Sequence, residues 1–426
     1  MRPEYETFQQ EGYATTMVYD GKTANVSTLD YAGLALRDQL NSCKRMICVS
    51  KPNNYSVDQL YNHLSLTGGD KHISDVKQIP LLKEPTVDCE CNELFNEIRR
   101  IVETRNITAC LHYIKTRTNL NPFSDSTNQM EKSLESISIT IEDNENRDDS
   151  KYLVNVLIKA NDFKITQVES MRDWIILRRS ITKPFDAGEY PLIFAPGIGG
   201  ILIHEIIGHQ FELSKSYSTY SPTKYKKGHL LFTENLTVVD APLSLNPIKN
   251  FDDEGVIKTA TMLIRNGAIL VPITDRYSVD VHSDYDLTGN GRRESYLHYP
   301  ESRMYNTYVE NGSDDANDVI NSFSHGFYIE QISYAFCNHR AGTVHICVSK
   351  AKVIQCGKIT DIPAIFFIED KISSFFDIEY ICDDIVLLPG CCNSSSGRLY
   401  VEYGSPTISF NSVNIRSGFA YETHVS

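Results

Sequence analysis

The chain has no long apolar run and no dense basic block, and each absence excludes a class of protein. No stretch approaches the ~18 apolar residues of a membrane span. The first thirteen residues, MRPEYETFQQEGY, hold no apolar signal core, so no export is implied and a cytoplasmic setting is expected. Net charge is 41 − 55 = −14. Without a basic cluster, that balance argues against a nucleic-acid binder held by phosphate contacts. Eleven cysteines is an odd number, and no C-x-x-C pair occurs; only Cys89/Cys91 and Cys391/Cys392 sit close together. A reduced compartment fits better than a disulfide framework. Internal repeats and long low-complexity segments are missing as well. The 426 residues are enough for two domains with real cores.

One stretch stands apart from the rest. Residues Ile193–Glu212, IFAPGIGGILIHEIIGHQFE, carry His204, Glu205 and His209 in the order H-E-x-x-x-H after an apolar run. Two imidazoles and a carboxylate this close point to an activated water at a metal ion, with a general base beside it. The zinc-protease helix places its histidines at i and i+4, about 40° apart around the axis. Here they are five apart, about 140° on a regular helix and too far round for one ion. A π-bulge or an early helix end must relieve this, and Gly208 is the candidate place. Two histidines on an apolar segment are more often a packed or capping pair. Glu205 weighs against that, because an unpaired carboxylate among Ile201, Leu202, Ile203, Ile206 and Ile207 is costly to bury. From these residues alone, the candidate third ligand is Glu212, one turn beyond His209.

The coarse pattern predicts an α+β fold. An N-terminal α/β domain over residues 1–187 precedes a C-terminal domain, 188–426, whose large curved antiparallel sheet carries the histidine helix. Ala14, Met17 and Tyr19 before Asp20-Gly21 read as a strand and tight turn. Ser27 or Thr28 is expected to cap a helix with Ala32, Ala35, Leu36 and Leu40 on one face. The text around Asn53 and Gly68-Gly69 reads as loop. Leu94, Phe95, Ile98, Ile101 and Val102 keep helical spacing, and Glu169–Arg179 is a second helix carrying the single tryptophan, Trp174. Cys110–Lys115, Leu134–Ile141 and Tyr152–Lys159 are predicted strands, with the acidic Glu142–Asp149 as a solvated hairpin loop. Pro184 and Gly188 mark the linker. Beyond it come the strand Leu192–Ala195, a glycine turn Gly197–Gly200 and the histidine helix. Further strands are expected at Leu236–Asp240, Thr259–Ile264, Ile269–Thr274, Thr343–Ile354, Ala364–Glu369 and Asp384–Leu388. Asn266-Gly267 is a hairpin turn, and Asn317–Asn321 starts a short helix.

The second half resembles the TldD/PmbA metallopeptidases, also called modulators of DNA gyrase. Four motifs carry the resemblance, in the family's order: LIHEIIGHQFE (Leu202–Glu212); FDDEG (Phe251–Gly255), followed by TMLIRNGAIL and TDR; TGNGRRESYLHYPESRMYNTY (Thr288–Tyr308); and a G-x-C at Gly390-Cys391-Cys392. It covers roughly residues 190–410. Residues 12–180 fit the family's N-terminal domain in outline, as if its usual first helix and strand were absent.

The resemblance implies His204, His209 and Cys392 as ligands of one divalent metal ion, zinc with iron as the alternative, and Glu205 as the base. A thiolate from a separate strand partly neutralises the dication, so the site forms only when the domain folds. The middle residue of G-x-C is itself a cysteine here, Cys391, which is an alternative ligand. The segment after it, Asn393–Gly397, departs from the family's glycine- and lysine-rich continuation, which bears on substrate preference. Arg292, Arg293, Arg303, Asn306 and Tyr308 are candidates for holding substrate or stabilising the oxyanion, because they lie in the third motif. His229, His282 and His298 read as surface or structural residues. The family further implies unfolded or short peptide substrates, such as leader or precursor peptides. It also implies a dimer, with a homologous TldE-like subunit or with a second copy. A non-catalytic partner subunit and a metal-dependent peptide-tailoring enzyme are the alternatives. A role in binding gyrase rests on no residue of this chain.

Overall fold

The structure, a computed structural model, describes residues 5–19, 24–40, 43–50, 89–103, 107–121, 130–143, 153–159, 164–179, 181, 183–215, 224–242 and 251–420. The expectations at Asn53, at Gly68-Gly69 and for most of the acidic loop lie outside these residues.

Six antiparallel strands form the first sheet, in the order β3-β2-β1-β4-β5-β6. They are β1 (Tyr5–Tyr19), β2 (Ala24–Leu40), β3 (Cys43–Ser50), β4 (Ile107–Asn121), β5 (Met130–Asp143) and β6 (Leu153–Lys159). Among the described residues, two helices accompany them, α1 (Cys89–Val102) and α2 (Ile165–Arg178). Because every strand pair is antiparallel, this half is layered rather than built from βαβ units. The helix expected over residues 28–40 is a strand. β2 pairs along most of its length with β1 on one side and, from Gly33 to Leu40, with β3 on the other, and that ladder overrides a local helical spacing. Nor is the start of the acidic segment solvated: Asp143 ends β5, is buried, and pairs with Arg179 at 2.9 Å.

The second half begins with β7 (Lys183–Phe185), β8 (Gly188–Phe194) and the histidine helix α3 (Ile198–Ile206). It continues through β9 (Val238–Ala241), β10 (Thr261–Arg265), β11 (Ala268–Ile269), α4 (Arg276–Val281), β12 (Gly291–Arg292), β13 (Glu301–Ser302), β14 (Asn306–Val309) and α5 (Ala316–Ser322). The last part is nearly all strand: β15 (His325–Asn338), β16 (Thr343–Gln355), β17 (Lys358–Lys371), β18 (Tyr380–Ile381), β19 (Val386–Ser394), β20 (Gly397–Ser405) and β21 (Ile408–Ala420). These do not form one large curved sheet. β17-β16-β15-β8-β21 closes on itself through a β17–β21 pairing, giving a five-stranded barrel. A separate six-stranded sheet runs β11-β10-β9-β14-β20-β19. Nor is pairing all antiparallel, since β8–β15 and β14–β20 are parallel. The expected strand Ile269–Thr274 reduces to its first residue, and beyond it Ile273 makes only an isolated bridge to Glu212. Asn266 (φ 47°) and Gly267 (φ 73°) form the turn between β10 and β11, as their left-handed preference requires.

The helix α3 is apolar on nearly all sides, the signature of a buried helix, and packs against β14, β15 and β20. Of the expected glycine turn, Gly197 lies in the turn before the helix, while Gly199 and Gly200 lie inside it. Gly197, at φ 83°, is the N-cap, and a Cβ on Gly200 would strike the backbone of Gly404. The two halves share apolar contacts. Cys347 and Ile365 of the barrel join a core with Phe95, Ile98, Trp174 and Ile175, and Trp174 Nε1 donates to Ser349 O at 2.8 Å. Among the described residues, no helix is long and apolar enough to cross a membrane.

Candidate metal centre

His204 occupies the last turn of α3. His209 lies in the short 3-10 turn Gly208–Phe211 that follows. Of the two ways to bring imidazoles five residues apart together, the chain uses the early helix end. The α-helix stops at Ile206, and the tighter turn swings His209 round until the two rings stand 5.0 Å apart at 80°. A Cβ on Gly208 would overlap Met304 Sδ, so that flexible side chain would have to move to admit one.

Cys392 arrives from β19. Its Sγ lies 3.3 Å from His209 Nε2. Donor atoms of His204, His209 and Cys392 all lie within 4.8 Å of one another, the one such grouping among the described residues. Burial would raise the Cys392 thiol, but the charges of His209 and His204 and their hydrogen bonds outweigh it and hold the thiol well below its ordinary value. The converse holds for His209. Burial disfavours its cation, yet Cys392 and Glu212 raise its pKa well above the usual imidazole range. Two imidazoles and a thiolate converging on one point are a donor set suited to zinc. Nδ1 of buried His204 has no hydrogen-bond partner within the protein, so this ring is not fully satisfied by internal bonding. The residues fit a divalent cation.

Glu205 stands beside the triangle, its side chain 23% exposed and one oxygen 3.9 Å from His209 Nε2. Burial raises its carboxyl, with His209 and His204 pulling the other way. Glu212 is not placed as a ligand. One oxygen accepts from His209 Nδ1 at 3.0 Å, and the other lies 3.4 Å from Arg303 Nε. A carboxylate behind a ligating histidine fixes its tautomer and orientation and leaves Nε2 to face the centre.

The third motif falls mainly behind the site. Arg303 is buried, donating from Nη2 to Cys392 O at 2.7 Å and from Nη1 to Ser396 Oγ at 2.7 Å. It thereby ties the cysteine strand to Glu212. Arg292 donates to the carbonyls of Met304 and Tyr400 and lies 3.9 Å over the Tyr305 ring. Arg293 is buried, and its backbone N–H donates to Asp253. Asn306 and Tyr308 lie on β14, the first buried and the second half-buried. None of the five belongs to the ligand triangle. Cys391 is exposed, as strand alternation beside a buried Cys392 requires. His229 stacks on Tyr225, His282 caps α4, and His298 bonds Ser295 Oγ.

Two residues near the site escaped sequence reasoning. Asp240 is buried at the centre of the network that holds the third motif; only its place in a β-rich segment marked it. His339, at the tip of the β15–β16 hairpin, brings its ring centroid 6.1 Å from that of His209. It lies in none of the four motifs, so no sequence signal singled it out.

Residues 187–417 match the family profile described as PmbA/TldA metallopeptidase C-terminal domain. The chain belongs to this family, the TldD/PmbA metallopeptidases. It is 29% identical over 234 residues to a zinc metalloprotease TldD homolog of Saccharolobus solfataricus, covering 54% of this chain and 52% of that one. It is 28% identical over 252 residues to a metalloprotease TldD homolog of Haemophilus influenzae, covering 58% and 52%. The chain thus spans about half the length of the curated relatives it matches. Its fold is similar to the crystal structure of TldE from Thermococcus kodakarensis, with TM-score 0.70, 17% identity and coverage of 97% and 96% of the two chains. It is also similar to a putative modulator of DNA gyrase from Thermotoga maritima, with TM-score 0.67, 12% identity and the same coverages.

Proposed function

We propose that this chain is a metal-dependent peptidase that hydrolyses unfolded or short peptides. The observation that carries this reading is the triangle of His204, His209 and Cys392 with Glu205 at its edge. A divalent cation held by those three residues, zinc by donor set and iron as the alternative, would supply Lewis-acid activation of a water and polarisation of the scissile carbonyl. Glu205 takes the proton of the attacking water and passes it to the leaving nitrogen. Glu212 and Arg303 act through other groups: the first orients His209, and the second holds the strand that bears Cys392. An intact base argues against a purely structural metal or a non-catalytic partner subunit, since neither needs a carboxylate there.

β19 ends its sheet and carries Cys392. An extended peptide adding along that edge would use main-chain hydrogen bonds, which read shape rather than sequence. Residues 188–426 form the catalytic part and residues 1–187 a flanking domain. The working form is a dimer, with a TldE-like homologue or with a second copy.

The test is metal content by elemental analysis of wild type and Cys392→Ala, together with mass spectrometry of a digested peptide mixture. We expect about one metal per active subunit, lost in Cys392→Ala, and fragment pairs that sum to substrate plus one water. An intact, mass-shifted product would replace hydrolysis with a tailoring reaction. Metal retained in the variant would move the third ligand elsewhere.

A further inference from the structure

Amide hydrolysis needs a donor for the oxygen that gains charge as water adds to the carbonyl. The arginines of the third motif that lie closest to the ligands are already engaged. Arg303 serves Cys392 O, Ser396 Oγ and Gly397 O, while Arg292 serves Met304 O and Tyr400 O. Lys258 is held by Asp240 and Asn290. These groups are committed to bracing the fold.

One imidazole outside the ligand set does approach the centre. His339 is half-buried, 6.1 Å ring to ring from His209 with an interplanar angle of 66°, and it is not part of the compact ligand grouping. Its hairpin tip is well tied. Gly342 N donates to Asn338 O at 2.7 Å, Ala341 N to Asn338 Oδ1 at 2.9 Å, and Ile372 N to Gly342 O at 2.9 Å. Below the tip, β15 packs on α3. Cys337, two residues before His339, is near enough to Glu205 for that carboxylate to add to burial in raising its thiol. The end of β15 therefore approaches both the base and a ligand imidazole.

The geometry points to His339 as a further catalytic residue, whose ring N–H hydrogen-bonds the substrate oxygen as the tetrahedral carbon forms. This assignment rests on the hydrolase reading above. In the step, the water oxygen bonds to the carbonyl carbon and the C=O π pair moves onto oxygen. The water proton goes to Glu205 and then to the leaving nitrogen. The C–N bond breaks as the carbonyl re-forms. His339 transfers no proton; it holds the charged oxygen. Anchored in a hairpin, it is preorganised for that charge, the condition under which such a donor is worth most.

The test uses the metal-loaded chain with three readouts besides metal content. They are kcat and KM on one unstructured fluorogenic peptide, affinity for a phosphinic peptide of the same sequence, and affinity for the uncleaved peptide in a Glu205→Gln background. The phosphinic group copies the tetrahedral, charged centre. His339→Ala is expected to keep its metal and lose about 10²–10³-fold in kcat, with a parallel loss of phosphinic affinity. KM and uncleaved-peptide affinity should change little. His339→Gln, which keeps a side-chain N–H, should recover about tenfold of the loss. Loss of metal in His339→Ala would make the residue a ligand and overturn the assignment. Unchanged kcat and phosphinic affinity, in an enzyme whose wild type cleaves and binds, would overturn it alone. A loaded wild type that neither cleaves the peptide nor binds the phosphinic analogue would remove the hydrolase reading and this assignment together.

Discussion

Two buried polar clusters of the C-terminal half follow opposite rules. Around Asp240 the side chains satisfy one another. One carboxylate oxygen meets Lys258 Nζ at 2.9 Å and Asn290 Nδ2 at 2.8 Å; the other accepts from Tyr305 N at 2.9 Å and Thr307 Oγ1 at 3.0 Å. Asn290 Oδ1 in turn accepts from Lys258 and Thr288. The FDDEG carboxylates do similar work. Asp252 accepts from the backbone of Glu254, Val256 and Gly291, and Asp253 from that of Arg293. Around His209 the donors converge on a point instead, with a mostly covered carboxylate beside them and a second carboxylate behind. A closed polar network braces a loop, whereas an open one has capacity left for a ligand. The third motif belongs chiefly to the closed kind.

The distinction is open to experiment, and its largest expected effect lies at the open cluster. Glu205→Gln should lower turnover by about 10²–10⁴-fold while metal content and thermal midpoint stay at wild-type values; near-normal turnover would remove the base assignment. At the closed cluster the effect should appear in stability. Asp240→Ala leaves Lys258 buried without its counter-charge and is expected to cost about 3–5 kcal/mol in urea unfolding. If its stability equals that of wild type, the network is not a brace. Glu212→Gln touches both clusters. It should weaken metal affinity about 10–100-fold in a chelator competition, since the amide orients His209 less firmly; unaltered affinity would place Glu212 among the merely structural groups. The smallest effect is expected from Gly208→Ala, at about 1–3 kcal/mol, as Met304 shifts to admit the methyl group. A repacked Met304 with no change in thermal midpoint would show that this approach is not tight.

Legibility varied with how local the deciding force was. The H-E-x-x-x-H spacing demanded a break in the helix, and Gly208 marks where the tighter turn begins. The Asn266-Gly267 turn followed from backbone preference. The helix expected over residues 28–40 is a strand because the same apolar spacing fits both, while its partners β1 and β3 lie elsewhere in the chain. The barrel was hidden for a related reason. Closure is a pairing between β17 and β21, and alternation within either strand is the same whether or not it closes.

By itself, then, the sequence determined the chemistry on offer: two imidazoles five residues apart, a carboxylate between them, a cysteine in a G-x-C, and the short-range turns and helices near them. Spacing was enough, because those constraints act over a few residues. Tertiary structure alone decided which groups meet. It brought Cys392 to His209 across 183 positions, set Glu212 against His209 Nδ1, engaged Arg292 and Arg303 with backbone carbonyls, and placed the His339 ring 6.1 Å from that of His209. Each of these outcomes depends on strand pairing and packing between distant segments, and one segment carries no record of the surfaces it will meet.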